Sequence, residues 1–469
     1  MVRMESKQRK QKISQETWPQ RGAVNTLGYE EGHSLQPTQI KEEVRAKQHN
    51  NLMEQVVQRD NMKRALRRVE RNKGVPGVDG VTVENFRPYL KIHWERIKGE
   101  LLTGTYKPQI VRRVEIPKPG GGVRLLGIPT VMDRLIQQAV LQILSPLIDP
   151  EFSQNSFGFR PGCSTHQAVR QAQSYIKDGY WYVVDIDVEK FFDKVNHDIL
   201  MSKLKQKIAD RQVIRLIRSY LQAGVMINGC CITSEEGTPQ GGPLSPLLAN
   251  IMLHELDEEL EARGHRFVRY ADDVNIYVKS KRAGERVLAS MAKYLENRLK
   301  LRINMRKSAC DRPWNRKILG FTFRSNQEAT IILAPKSQER FKERIKELTR
   351  RARSKSMAQR IEEVNSYLKG WLGYFYKAQM RNRLIELDEW IRRRLRACML
   401  KQWKRSITRR RNLVALGIKQ EWASHISASR KGEWRLALTH QMHKALGFAY
   451  WREQGLISLV ERYDVLRVL

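Results

Sequence analysis

Cysteine is scarce in this chain: 5 residues in 469, at Cys163, Cys230, Cys231, Cys310 and Cys398. None stands in a Cys-x-x-Cys pair, which argues against a zinc ribbon or a zinc-bound nuclease module. So sparse a set suits a reducing cytosol better than a disulfide scaffold. Long apolar runs are also missing. No stretch reaches the roughly 18 residues of a spanning helix, and the N-terminus lacks the apolar core of a secretory signal. A cytoplasmic protein without a membrane partner is expected. Acid is in deficit, with 50 Asp and Glu against 86 Lys and Arg, a formal charge of +36 and a pI of about 10.2. That excess repels itself in a compact chain unless a polyanion shares it. Nucleic acid is the natural partner, because Lys and Arg on phosphate supply most non-specific affinity. No GxxxxGK[ST] loop and no Ser/His/Asp or Cys/His constellation is present.

What is there suffices for sizeable cores: 41% of residues are hydrophobic, and the length suggests roughly three domains. Residues 1–50 are polar with little periodicity and read as a disordered tail. Helical stripes follow from Asn51 to Asn72 and from Asn85 to Leu102. Val111 to Lys118 predicts a strand that turns through Pro119-Gly120-Gly121-Gly122 and returns through Val123 to Pro129. Lys118 and Arg124 beside that turn suit a triphosphate clamp, although basic residues near a hairpin are usually just solvated. Further helices are predicted over Asp133–Leu147 and His166–Ile176. Glu236-Gly237-Thr238-Pro239-Gln240-Gly241-Gly242-Pro243 opens a helix; its glycines permit close approach to a nucleotide, or serve the loop-to-helix transition alone. His197 reads as a capping or structural residue. Lys317 to Phe323 reads as a strand pair by composition. Beyond Pro335 the chain turns helical and very basic. Tyr367, Trp371, Tyr374 and Phe375 form a stripe better suited to a core than to ligand stacking.

Two acidic stretches stand out. Trp181-Tyr182-Val183-Val184-Asp185-Ile186-Asp187-Val188 is a buried-type strand broken by two carboxylates, which are costly there unless paired or metal-bound. Phe267 to Val278 predicts a β-hairpin with Asp272 and Asp273 at its tip. Two carboxylates on a tight bend can aim at one point, which suits Mg²⁺ and its oxygen ligands; a solvated turn has the same composition.

The order of these pieces resembles the palm of a reverse transcriptase. An acidic strand comes first, then a Gly-Pro loop, a Tyr-Ala-Asp-Asp hairpin, Asn304-x-x-Lys307 and Leu319-Gly320-Phe321. Together with Asn72-Lys73-Gly74, Arg124 to Pro129, Phe157-Gly158-Phe159-Arg160-Pro161 and Gly370-Trp371, the set resembles the bacterial group II intron-encoded reverse transcriptases, or maturases. The resemblance runs from about residue 50 to the C-terminus. It implies an α+β right-hand polymerase, with fingers and palm built from antiparallel sheet and helices, then a helical thumb and a small basic helical C-terminal domain. Its boundaries would be a tail at 1–50, an N-terminal extension and fingers at 51–180, a palm at 181–335, a thumb or maturase domain at 336–400 and a DNA-binding-like domain at 401–469.

The resemblance also implies roles. Asp187, Asp272 and Asp273 would hold two Mg²⁺ ions, with Mn²⁺ as a substitute, roughly 3.5–4 Å apart. Asp185 would stand outside the ligand set. Phe192 would exclude a ribonucleotide 2′-hydroxyl, so the substrates would be dNTPs. Lys118 and Arg124 would clamp the triphosphate, and Gln240 and Gly241 would lie near the nascent base pair. Lys307 would protonate the leaving pyrophosphate or simply contact phosphate. Leu319, Gly320 and Phe321 would form the primer grip. Partners would be the group II intron RNA, an RNA template with a DNA primer, and target DNA, in a cytoplasmic ribonucleoprotein particle. Family members that nick their target carry a further C-terminal module with paired cysteines. No such pairs precede Leu469, so a primer from another source is expected. Splicing-only maturation, or a domesticated role in DNA repair or phage defence, remain alternatives.

Overall fold

The computed structural model describes residues 51–117, 123–227, 230–232, 236–237 and 241–468. The predicted tail, the glycine tip with Lys118, and Gln240 lie outside these residues, as does the Arg124 side chain.

Helices Leu52–Val57 and Arg59–Asn72 occupy the first predicted helical stretch, with a break at Gln58, whose φ of −55° and ψ of 138° leave the helical region. Phe86–Thr103 follows and ends on Gly104 in the left-handed conformation, φ +72°, a position where glycine carries no steric cost. Strands β1 (Val111–Pro117) and β2 (Val123–Ile128) form the predicted antiparallel hairpin. Helices Val131–Ile148 and Thr165–Lys177 come next, the second opened by a Ser164–Gln167 capping box.

β3 (Tyr182–Asp187) leads to the short helix Phe191–Lys194 and then to helices His197–Lys207 and Arg211–Gln222. β4 (Val225–Ile227) and β5 (Cys230–Ile232) complete the first sheet in the order β2-β1-β4-β5. β1 runs parallel to β4, while the other pairings of named strands among the described residues are antiparallel, as expected. Helix Ser245–Ala262 precedes β6 (Arg266–Tyr270) and β7 (Asp273–Val278), and helix Lys281–Tyr294 precedes β8 (Ala309–Asp311). The second sheet has the order β6-β7-β3-β8.

Alternation along β3 explains its position. Val184, Ile186 and Val188 enter one buried cluster together with Val274, Ile276 and Val278 of β7. The odd positions start at Val183, buried in a second cluster with Tyr277, and continue into Asp185 and Asp187. Side chains on a strand alternate faces, and each buried Val or Ile contributes about 1.5–3 kcal/mol. The apolar row thereby turns the acidic row to the other face.

The Lys317–Phe323 expectation needs a correction. Only Phe321–Phe323 is a strand, β9, and its main partner is β10 (Ile331–Leu333). Ile318 pairs with Phe321 across a two-residue turn, Leu319 and Gly320, both with positive φ (51° and 85°). The basic half is helical: Pro335–Leu348, Met357–Phe375, Arg381–Gln402 and six shorter helices to Val468. Within the aromatic stripe Trp371 is buried, while Tyr374 is 36% exposed. Of the C-terminal aromatics, Trp451 is buried but Trp422, Trp434 and Phe448 are exposed.

Candidate active site

β3 and β7 are antiparallel neighbours in a register that sets Asp187 opposite Asp273 and Asp185 opposite Asn275. Directly opposed residues share a face, so Asp185, Asp187 and Asp273 form one acidic patch. The β6–β7 hairpin closes through Ala271 and Asp272, with Tyr270 paired to Asp273. Ala271 has φ +59°, the positive φ that two-residue hairpin turns require. Asp272 stands in that turn, close enough for its charge to act on Asp273.

Each acid meets a different neighbour. Lys307 Nζ lies 3.0 Å from Asp187 Oδ2, and Ser308 Oγ accepts from the Asp187 backbone N–H at 2.9 Å. Arg316 holds Asp185 Oδ2 at 2.6 Å and also donates to the Lys307 carbonyl at 2.7 Å. Burial raises the Asp185 carboxyl; Arg316 opposes the shift and Asp187 adds to it. Asp273 is pushed up to about 6, first by desolvation and then by the Asp272, Asp185 and Asp187 carboxylates, with Lys317 opposing. Its side chain is nonetheless open to solvent at one edge, so the like-charge share of that shift responds to salt and to cations.

The donor set is entirely carboxylate oxygen and its negative charge is crowded, as a hard divalent cation requires. Among the described residues, no three Asp, Glu, His or Cys side chains are already drawn together around one ion position. Asp187 has Lys307 on one oxygen instead.

A buried network that sequence reasoning missed holds the turn. Arg269 in β6 makes two bonds to Asp257 of the Ser245–Ala262 helix, Nε to Oδ1 at 2.7 Å and Nη2 to Oδ2 at 2.5 Å. Both side chains are 0% exposed. Arg269 Nη1 donates to Asn250 Oδ1 at 2.9 Å and to the Ala271 carbonyl at 3.0 Å. Asn250 Nδ2 donates to the Gly158 carbonyl at 2.9 Å. A Cβ built on Gly158 would stand 2.2 Å from the Ala271 nitrogen, so the Phe157–Pro161 loop rests its backbone on the turn. The missed signal was a charged residue inside the apolar run Phe267-Val268-Arg269-Tyr270, as costly there as Asp185 is in β3.

The other predicted residues surround this centre. Phe192 is half-buried and meets Phe191 edge-on, with centroids 5.2 Å apart. Gly237 abuts the Phe192 and Asp193 backbone, and its carbonyl lies 2.6 Å from His197 Nε2. The cap of that helix is Asn196, which accepts from Ile199 N–H, so His197 is a buried structural residue. Gly241, at φ +131°, leaves only 2.4 Å between an added Cβ and the Gly127 carbonyl of β2. The Gly-Pro loop thus touches β2 at Gly241 and the Phe192 backbone at Gly237. Tyr374 Oη donates to the Leu319 carbonyl at 3.0 Å and Ser337 Oγ to that of Gly320 at 2.9 Å. Phe321 is fully buried against Tyr374 and Phe375. The Leu319–Phe321 turn is therefore fastened to the helices that follow it.

The family model "Reverse transcriptase (RNA-dependent DNA polymerase)" matches residues 116–323, and "Group II intron, maturase-specific domain" matches 338–417. The fold is that of a right-hand polymerase, with fingers and palm followed by helical domains. Protein YkfC of Escherichia coli (strain K12) is 35% identical over 272 residues, 50% of this chain and 71% of YkfC. Group II intron-encoded protein LtrA of Lactococcus lactis subsp. cremoris is 40% identical over 188 residues, 40% of this chain and 31% of LtrA. A putative COX1/OXI3 intron 1 protein of Saccharomyces cerevisiae is 31% identical over 236 residues, 50% of this chain and 27% of that protein. The chain belongs to the group II intron-encoded reverse transcriptase and maturase family. It spans less than a third of LtrA's length.

Proposed function

We propose that the chain is an RNA-directed DNA polymerase that also binds its intron RNA to promote splicing, and that it supports intron mobility by target-primed reverse transcription. The observation that carries this reading is the cross-strand opposition of Asp187 and Asp273, with Asp272 in the adjoining turn. Mg²⁺, with Mn²⁺ as a substitute, would be held as two ions by Asp187, Asp272 and Asp273 and would neutralise charge on the transferring phosphoryl group. Positioning supplies most of the remaining catalysis in such reactions.

The chain's own residues divide that work. Phe192, whose ring lies edge-on to Phe191, would exclude a 2′-hydroxyl and so select dNTPs. Lys118 and Arg124 engage the triphosphate, and Gln240 and Gly241 pack beside the nascent base pair. Leu319, Gly320 and Phe321 hold the primer strand. Lys307, which neutralises Asp187 here, supplies a proton or a phosphate contact on the leaving side. The basic helices beyond Pro335 bind intron RNA as a thumb, over 336–400, and the segment 401–469 contacts target DNA. Among the described residues no helix is long and apolar enough to cross a membrane, and the protein works in a cytoplasmic ribonucleoprotein particle.

Primer extension on an RNA template tests the reading. Asp272→Asn should abolish cDNA synthesis and leave RNA binding nearly intact. Persistent synthesis in that variant would overturn the acid assignment. Splicing assisted by a wild-type protein that cannot extend a primer would instead favour a maturase alone.

A further inference from the structure

The acidic ends of β3 and β7 have an opposite end. Five residues back from Asp187, Tyr182 pairs with Val278, about 17 Å away at roughly 3.4 Å per residue. There the open end of the β6–β7 hairpin and helix Lys281–Tyr294 line a pocket of about 410 Å³ that opens broadly to solvent. Tyr180, Arg263, His265, Arg266, Lys279 and Arg286 are among its lining, and no Asp or Glu is. Arg263 is committed, donating to Glu259 Oε1 at 2.6 Å and to Ser290 Oγ at 2.7 Å. Arg266, Lys279 and Arg286 form no ion pair among the described residues. Glu261, a second acid on the helix that carries Glu259, accepts instead from Ser153 and Asn155. Lys279 Nζ stands 5.5 Å from the centre of the Tyr180 ring, and the next residue, Trp181, is 52% exposed.

Three cations without carboxylate partners, one of them over the Tyr180 ring, carry the chemistry of a phosphate-and-base site in which a base competes with Lys279 for that ring. Aromatic faces stack bases without regard to sequence, and neighbouring cations track the backbone. The pocket is too small for a duplex. Splayed-out nucleotides are the common mode by which proteins read RNA.

We propose that this rear pocket of the palm binds an unpaired RNA segment, separately from the primer–template path. The proposal rests on the intron-RNA reading above: it gives that RNA a second anchor behind the catalytic sheet.

The test uses the full chain, with its polymerase channel saturated by unlabelled primer–template, and a fluorescein-labelled 12-nucleotide single-stranded RNA as probe. Arg266→Ala/Arg286→Ala should flatten the logarithmic dependence of affinity on salt by about 1.4, since each single-strand phosphate contact contributes about 0.7. Tyr180→Leu should weaken binding about tenfold with the salt dependence kept, as loss of a stacking partner does. Primer extension should be unchanged in both variants, which also shows that they fold. Wild-type affinity in both variants overturns the proposal. So does equal competition by duplex RNA, by polyglutamate, or by single-stranded DNA of the same sequence. Loss of primer extension in the wild type, with probe binding retained, would instead count against the polymerase reading and leave the pocket standing.

Discussion

Asp257→Asn is the sharpest test of what holds the catalytic turn. Asp257 and Arg269 are both 0% exposed and joined by two short bonds. The substitution keeps the volume but leaves the guanidinium charge buried without its counter-charge. Breaking one side of such a pair costs about 3–5 kcal/mol, a large fraction of the roughly 5–15 kcal/mol that keeps a domain folded. The functional consequence runs through the same side chain. Arg269 also donates to the Ala271 carbonyl, and Ala271 holds a left-handed conformation that costs a non-glycine residue about 1–2 kcal/mol. A guanidinium that swings toward water releases this turn and displaces Asp272 and Asp273. Misplacement of reacting groups by about 1 Å can cost about 100-fold in rate. The expected result is a urea midpoint lowered by an amount worth about 3–5 kcal/mol, with kcat for primer extension down about 100-fold. An apolar pair, Asp257→Leu with Arg269→Met, should recover stability, since such replacements are often neutral, but not the rate. A loss below about 1 kcal/mol with wild-type extension by Asp257→Asn, or full activity in the apolar pair, would refute the reasoning.

Three further outcomes can be checked. Gly158→Ala sets a Cβ 2.2 Å from the Ala271 nitrogen; backbone cannot yield as a flexible side chain does, so a cost of about 1–3 kcal/mol and a fall in kcat are expected, and unchanged melting and extension would contradict the contact. Phe192→Val should admit ribonucleotides, read as the ratio of kcat/KM for a dNTP to that for its rNTP, and an unchanged ratio would remove the ring from that role. In divalent-free buffer, Asp273 makes stability fall as pH rises. Its folded pKa of about 6 exceeds the ordinary value of about 3.9, so the folded chain binds the extra proton between the two. This contribution is full below the lower pKa and gone above the higher one. Asp273→Asn should abolish that slope in thermal melts, and added Mg²⁺ should flatten it in the wild type; identical slopes in wild type and variant would show that Asp273 does not titrate there.

Local pattern determined a good deal of this protein without coordinates. Helical periodicity placed the helices within Leu52–Asn72, and Phe86–Thr103, Val131–Ile148 and Thr165–Lys177, to within a few residues, because burial on one face needs only neighbours three and four positions apart. The hairpin around Asp272 and Asp273 was legible because the turn and both strands are contiguous. The charge balance, +36, announced a polyanionic partner. Tertiary structure alone decided the rest. That Asp187 faces Asp273 is a matter of register between strands far apart in the chain, and a slip of one residue would have turned the acids to opposite faces. That Arg269 is locked to Asp257 and Asn250, and that Gly158 bears on Ala271, depends on a helix and a loop packing behind the hairpin. That the far end of the same sheet gathers Arg266, Lys279 and Arg286 around Tyr180 follows from which strand ends meet. Periodicity reports which face of an element is buried; it carries no information about which distant element covers that face.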